Sequence, residues 1–229
     1  HIADCVREHT LTVLQALKAE GITPEWVQVG NETRFGTLWP YGRTTDNDYR
    51  DFRDGEGWRD YALFTAVGYD ACHEVFPDVI VINHIDNAYM DNVWFYQRLK
   101  QEGGKWDMIG LSHYPMMGEW NGGIPWQEMN ERARLNIIAL NEAFGCPVML
   151  SEIGTMEFDP ATSQQVIADV RCKLDTIPCF SGIFYWEPQV FAGWRPQEYI
   201  PLGWGAYNMG AFTTESGQPN AALITLFRH

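Results

Sequence analysis

The sequence predicts an α/β barrel, parallel strands inside and helices outside, on three observations. Short apolar runs alternate with amphipathic helical segments five times. Polar and aromatic residues collect at the carboxyl ends of those runs, where barrel enzymes carry their chemistry. No Gly-x-Gly-x-x-Gly and no phosphate loop follows any strand, which places a doubly wound nucleotide fold second.

In order along the chain, residues 2–20 read as a helix, with Ile2, Val6, Val13 and Leu17 at helical spacing. Gly21 and Pro24 stop it. A strand over 25–32 follows, Trp26-Val27-Gln28-Val29-Gly30-Asn31-Glu32, and surfaces at an amide and a carboxylate. Residues 33–56 read as one long loop containing Leu38-Trp39-Pro40-Tyr41-Gly42, and loops of that length are usually functional. Its acidic residues Asp46, Asp48, Asp51, Asp54 and Glu56 lack the register of a calcium loop and read as a solvated face.

A helix over 58–76 ends before Pro77, and a strand over 79–86 closes on His84 and Asp86. A helix near 91–102 leads through Gly103-Gly104 to a strand over 107–115 that closes on His113-Tyr114-Pro115. The helix over 126–144 sets Met129, Ala133, Ile137 and Leu140 on one face. The next strand, Val148 to Gly154, delivers Glu152. Asp159 caps a helix that opens on Pro160 and carries Val166, Val170, Leu174 and Ile177. The last strand, over 181–188, ends Tyr185-Trp186-Glu187-Pro188, and a closing helix starts near residue 220.

A closed barrel of this kind has eight units, and this chain has five, preceded by a helix with no strand before it. The expectation is one catalytic domain over 1–229, incomplete at its amino-terminal side, that supplies strands 4 to 8 with their helices. Three more units would take roughly a hundred residues. Without them the sheet has two open edges.

Two glutamates, each closing its own strand, are what a glycosidase with paired carboxylates requires. Taken singly, a Glu after a strand is solvated or caps the next helix. The pair, with the residues around it, favours catalysis by Glu32 and Glu152. Composition narrows the partners. Thirty acidic against 16 basic side chains, a formal charge of −14, repel phosphate backbones and anionic membranes, so nucleic acid is excluded as partner. A neutral sugar polymer needs no steering field, although solubility alone accounts for the charge as well. No run of eighteen apolar residues spans a membrane, and the N-terminus has neither basic nor apolar signal regions, so any export signal is expected to be already removed or not included. The five cysteines form no Cys-x-x-Cys, which speaks against zinc, and Cys172 and Cys179 are spaced to bridge a helix end to a strand start. Trp39, Trp120, Trp186, Trp194 and Trp204 sit in polar or Gly/Pro-containing stretches, where flat rings can meet sugar C–H faces or simply brace a loop.

With the strands laid out, the chain resembles the endo-β-1,4-galactanases of glycoside hydrolase family 53, a family of retaining (β/α)8 hydrolases. The matching stretches are Gln28 to Glu32 with Leu38-Trp39-Pro40, Ile109 to Pro115, Glu152, Phe184 to Pro188, and Asn208-Met209-Gly210-Ala211-Phe212. The resemblance implies Glu32 as acid/base on strand four and Glu152 as nucleophile on strand seven, their carboxyls about 5–5.5 Å apart. It implies Asn31 on the sugar 2-hydroxyl, Tyr114 against the nucleophile and Trp186 beneath the sugar where the bond breaks. His84 and Asp86 are expected either to touch substrate or to hold the rim. His113 stands where the family more often has an aromatic residue, and the first three strands, with an Arg and a His that line the site, are absent from the sequence. The substrate implied is galactan of pectin. The alternatives are a related enzyme acting on xylan, mannan or β-glucan, or an inactive carbohydrate-binding fragment. No cofactor is required; a structural calcium in the late loops occurs in some relatives and nothing here specifies one. The implied setting is secreted, periplasmic or at the cell surface, and the further partner is the missing amino-terminal barrel segment.

Overall fold

The structure is a computed structural model that describes residues 1–45, 56–118, 122–191, 194, 196–203, 207–213 and 216–227. Trp120, Trp204, Asp46, Asp48, Asp51, Asp54 and the Glu56 side chain, all singled out above, lie outside the described residues.

The elements are α1 (Ile2–Ala19), β1 (Trp26–Gln28), a 3₁₀ turn (Thr33–Phe35), β2 (Gly36–Thr37), β3 (Gly42–Arg43), α2 (Glu56–Val75), β4 (Ile80–Ile85) and α3 (Val93–Gln101). There follow β5 (Met108–His113), α4 (Trp126–Phe144), β6 (Val148–Ile153), α5 (Pro160–Leu174), β7 (Phe180–Tyr185), a second 3₁₀ segment (Gln197–Leu202) and α6 (Ala221–Phe227). The main sheet runs β1-β4-β5-β6-β7, so strands adjacent in sequence are neighbours, apart from the small β2–β3 hairpin. β1 pairs parallel with β4, Val27 opposite Val81, and β4 with β5, Ile82 opposite Met108. Alternating strands and helices in this order form the five-unit portion of a (β/α)8 barrel. No described helix is long and apolar enough to cross a membrane.

The chain divides into two compact units, one comprising residues 1–86, 91–111 and 139–149, the other 87–90, 112–138 and 150–229. In the first, period-two alternation sorts β4. Val81 joins Leu14, Cys72, Val75, Phe76 and Val79 under α1 and α2. Ile82 turns the other way, onto Met108 and Met149. The buried face of α1 centres on Leu14, with Leu11 and Leu17 beside it, and not on Val13, which is 44% exposed. Ile2, Val6 and Val13 instead line an apolar cleft of about 470 Å³ shared with Val27, Val29, Tyr61 and Phe64. The Asp107 carboxylate accepts from Tyr69 Oη (2.8 Å) and Val81 N (2.9 Å) and lies 3.0 Å from His73 Nε2, tying the start of β5 to α2 and β4.

β1 stops four residues short of the strand expected over 25–32. Val29 N still reaches Ile82 O (3.3 Å), but Gly30 (φ 84°) and Glu32 (φ 46°) then turn the chain out of the sheet. The 33–45 part of the expected loop contains the β2–β3 hairpin, which closes so tightly that only glycine fits. A Cβ on Gly36 (φ 80°) would lie 1.7 Å from Gly42 O.

In the second unit, Asp159 caps α5 as the sequence implies, accepting from Thr162 N (3.1 Å) with Pro160 in the first turn. Ser163, Val166, Ile167, Val170 and Leu174 are its buried residues. His113 Nε2 meets Asn130 Oδ1 (2.8 Å), and Asn130 Nδ2 donates to Asp169 (2.9 Å), joining the end of β5 to α4 and α5. All five cysteines are free thiols. The Cys172–Cys179 bridge is therefore not formed, Cys172 lying on the exposed face of α5.

Gly36→Ala is expected to lower the unfolding free energy by about 2–4 kcal/mol, since it combines a left-handed φ with a backbone clash. Gly103→Ala (φ 94°, nothing within 4 Å of the added carbon) should cost about 1 kcal/mol, so urea melts of the two variants separate the steric from the conformational contribution.

Candidate active site

At the carboxyl end of β1 in the first unit, the chain changes direction within three residues. Gly30 permits the turn, and a Cβ there would meet Thr33 Cγ2 at 2.8 Å. Glu32 takes a left-handed φ of 46°, uncommon for any residue but glycine, asparagine or aspartate. Asn31 and Glu32 are both exposed, whereas Thr33 and Arg34 directly after them are 3% exposed. Those two buried residues anchor the turn. Thr33 Oγ1 donates to His84 O (3.0 Å) and lies 2.7 Å from Tyr61 Oη. Burial pushes the Tyr61 phenol up to about 12, so it remains protonated and hydrogen-bonded. Arg34 forms an ion pair with Asp86 through Nε, and its Nη2 donates to Asp86 O (2.8 Å) and Asn92 Oδ1 (2.6 Å). Asp86, expected on substrate or on the rim, thus holds the loop after Glu32 to the end of β4.

Asn31 Oδ1 accepts from Gln28 Nε2 (3.0 Å) and faces His84 Nδ1 at 3.2 Å. His84 is fully buried, and burial lowers its imidazole from 6.5 to about 4, so the ring is neutral at pH 7. With Asn31 Oδ1 an acceptor, the ring proton is placed on Nδ1. His84 therefore fixes the Asn31 amide and leaves its Nδ2 side directed by that contact. Of the four residues predicted at this rim, Asn31 and His84 form one contact and Asp86 joins Arg34. Glu32 sits at the head of the 3₁₀ turn.

In the second unit, β6 carries Glu152, which is 8% exposed. Tyr114 Oη donates to Glu152 Oε2 at 2.5 Å, a short charge-assisted bond if the carboxyl is ionised. Gly154 makes room for that phenol: a Cβ there would lie 2.7 Å from Tyr114 Cε1 and 2.5 Å from Met209 Sδ. Beyond β6, Thr155 Oγ1 lies 2.9 Å from Tyr185 Oη, and Trp186 N donates to Ile153 O (2.8 Å). Trp186, 37% exposed, shares a small hollow with Glu187, Val190, Tyr207 and Met209. The expected partners Tyr114 and Glu152 are thus brought together, with Trp186 bonded to the end of the same strand. Trp194, 43% exposed, stacks edge-on with Tyr199 at 6.2 Å.

Arg34, Tyr61 and Tyr185 were not expected at these rims. Arg34 carried the one available signal, a cation two residues past Glu32 with Asp86 at the end of the next strand. In the second unit a strand-end carboxylate is held by a phenol, an arrangement able to serve a nucleophile, and in the first an amide stands next to a carboxyl, an arrangement able to hold a hydroxyl.

The sequence profile of glycosyl hydrolase family 53 matches residues 1–226. A Niallia circulans protein encoded in the bgaB 5′ region is 28% identical over 95% of this chain and 64% of its own length. The arabinogalactan endo-β-1,4-galactanase of Thermothelomyces thermophilus is 27% identical over 79% of this chain and 56% of its own. Among solved structures, a fungal β-1,4-galactanase superposes with a TM-score of 0.76 at 21% identity, covering 99% of this chain and 68% of that one. The family 53 catalytic domain of Ignisphaera aggregans gives 0.75 at 20% identity, with 99% and 64% covered. The chain spans little more than half to two thirds of the length of these relatives.

His84 and His113 carry the pH dependence that this geometry implies. Burial also lowers His113 to about 4, because protonation would add an N–H at a buried Nδ1 that has no partner among the described residues. An unfolded His titrates near 6.5. Stability from both rings is therefore complete above about pH 6.5 and is lost as pH falls toward 4, where only the unfolded chain takes the protons. His113→Gln keeps a donor for Asn130 and removes one such proton. Urea unfolding between pH 7 and 4.5 should show a slope shallower by up to about 1.4 kcal/mol per pH unit; an unchanged slope would refute a neutral His113.

Proposed function

The chain belongs to glycosyl hydrolase family 53, and from that premise we propose that it hydrolyses internal β-1,4-galactosidic bonds of galactan with retention of configuration. The observation that carries the reading is the Tyr114–Glu152 contact. It is a strand-end carboxylate, nearly buried, that accepts one aimed hydroxyl, as a nucleophile held for in-line attack requires. Relatives named as endo-β-1,4-galactanases support the substrate.

In the first step Glu152, ionised, attacks the anomeric carbon while Glu32 gives its proton to the departing glycosidic oxygen. The carbon–oxygen bond breaks and a galactosyl ester of Glu152 remains. In the second, Glu32 takes a proton from water, the water oxygen attacks the same carbon, and Glu152 is released; one water is consumed per bond cut. Asn31 holds the 2-hydroxyl of the reacting sugar, its amide orientation set by His84, and Trp186 offers an apolar face to that ring. The chemistry needs no metal and no organic cofactor.

The apolar cleft beside β1, lined by Ile2, Val6, Val13, Val27 and Phe64, suits the packing of further barrel strands, and the proposal is of a site completed by them. A polymeric substrate does not cross membranes, and the proposal therefore extends to an enzyme that meets it outside the cytoplasm.

Glu32→Gln and Glu152→Gln should each lower turnover of galactan by at least about 10²-fold with the fold intact by circular dichroism. Proton NMR of early product should show the β-anomer first. Full activity in Glu32→Gln, α-anomer first, or preferential cutting of xylan, mannan or β-glucan would each end this reading. Tyr114→Phe should lower kcat roughly 10- to 100-fold and move the acid limb of the kcat/KM profile to higher pH, since removing a donor to the ionised carboxyl disfavours that form.

A further inference from the structure

We propose that Trp39 and Tyr41, on the β2–β3 hairpin, form the platform that binds the neutral sugars on the leaving-group side of the bond being cut. The proposal rests on Glu32 being the acid/base, since only then is the leaving side defined. An acid/base must lie beside the departing oxygen, so a surface anchored to the turn that carries Glu32 is placed to meet the sugars beyond that oxygen. Here that surface is the hairpin, which begins four residues after Glu32.

The hairpin is built as a rigid support. Gly36 pairs with Arg43 and Thr37 with Gly42. A Cβ on Gly57 of α2 would lie 1.8 Å from Arg43 O, and one on Gly42 would lie 2.9 Å from the Phe64 ring, so the ribbon sits directly on α2. Thr44 Oγ1 donates to Arg34 O (3.0 Å) and so joins the hairpin to the same buried arginine that anchors the turn at Glu32. Trp39 is oriented on this support: its Nε1 donates to Phe35 O (3.0 Å), and the Arg43 guanidinium lies 4.8 Å from its ring centroid.

What the support presents is apolar. Leu38 and Trp39 are 46% exposed and Tyr41 is 56% exposed, three large side chains within four residues. Leu38 holds a left-handed φ of 52° at the tip. Between Leu38 and Gly42 there is no charged residue, and the Arg43 guanidinium beside them lies over the Trp39 ring, so the exposed rings offer apolar faces that suit a neutral ligand. Orientated aromatic rings lose little freedom when a sugar's C–H face settles on them, which makes such a platform effective for pyranoses.

The test compares galactohexaose, which fills the leaving side, with β-galactobiosyl fluoride, whose leaving atom reaches no further than the breaking bond. Trp39→Ala and Tyr41→Ala should each lower kcat/KM for galactohexaose roughly tenfold, mainly through KM, and leave the fluoride within about twofold. Trp39→Phe should fall between wild type and Trp39→Ala. Unchanged cleavage of galactohexaose, or an equal loss on both substrates, overturns the platform. Glu32→Gln in the same assay keeps the two readings apart. It should lose galactohexaose but keep the first-turnover burst of fluoride release, whose leaving group needs little acid help, while steady turnover slows because Glu32 no longer takes the proton from water. If Glu32→Gln cleaves galactohexaose normally, it is the acid/base assignment that fails. Should the wild type turn over neither substrate, fluorescence titration with galactohexaose decides. Binding that weakens about tenfold in Trp39→Ala supports the platform, and no binding, or binding indifferent to Trp39, refutes it.

Discussion

The buried anchors that follow Glu32 hold a backbone conformation that a glutamate adopts only under constraint. A left-handed φ at a non-glycine residue costs of order 1 kcal/mol or more. It persists when its neighbours are over-determined, and here they are. Thr33 is bonded to both the backbone of β4 and Tyr61, and Arg34 to the Asp86 side chain, the Asp86 carbonyl and Asn92. The same two residues orient their flanks: His84, whose carbonyl receives Thr33, carries the imidazole that meets Asn31, and the Arg34 carbonyl receives the hairpin through Thr44. One turn therefore sets the amide, the carboxyl and the aromatic hairpin of this rim together.

The second unit solves the matching problem by a different route. Glu152 needs no unusual backbone, because β6 delivers it directly from a buried strand. Its control is a side-chain contact, Tyr114 Oη, and the room for that contact is made by the missing Cβ of Gly154. A residue whose place is set by a strand and whose carboxylate receives a phenol is suited to being a fixed nucleophile. A residue at the head of a turn, exposed, is suited to exchanging protons with substrate and water. The two local environments thus differ in the sense that the two proposed roles demand.

Much of this was readable from the chain. The strand runs ending in Glu32, Asp86, Tyr114, Glu152 and Trp186 appear where apolar β-branched runs meet polar residues, and Asp159-Pro160 announces its helix with a cap that the structure bears out. What escaped the sequence depends on contacts distant along the chain. Arg34 and Asp86 are 52 residues apart, and their pairing is hinted at only by a cation past one strand end and an acid at another. The β2–β3 hairpin carries no alternation to read, only glycines whose role appears once Gly42 O is seen 1.7 Å from where a Gly36 Cβ would be. β1 looked longer because Val29 to Glu32 continue an apolar-to-polar gradient, while the turn is a matter of φ at Gly30 and Glu32. The buried face of α1 is likewise not fixed by helical spacing alone. Val13 and Leu14 are both apolar, and which one faces α2 depends on where the helix is docked.

The charges around Glu32 bear on its proposed task. An acid that must keep a proton until the bond breaks is poorly served by an uncompensated cation nearby, since a positive charge favours the ionised carboxylate. Among the described residues, His84 and Arg34 are candidate cations of this rim, and the fold disarms both. His84 is held neutral by burial. Arg34 is opposed by the carboxylate of Asp86 in an ion pair only 3% and 24% exposed, where screening by water is weak and the compensation correspondingly effective. The arginine can then serve as a mechanical anchor for the turn without acting as an electrostatic drain on the proton. Asp86 is the residue that makes this possible, which gives a carboxylate at the end of β4 a place in the reaction even if it never touches a sugar.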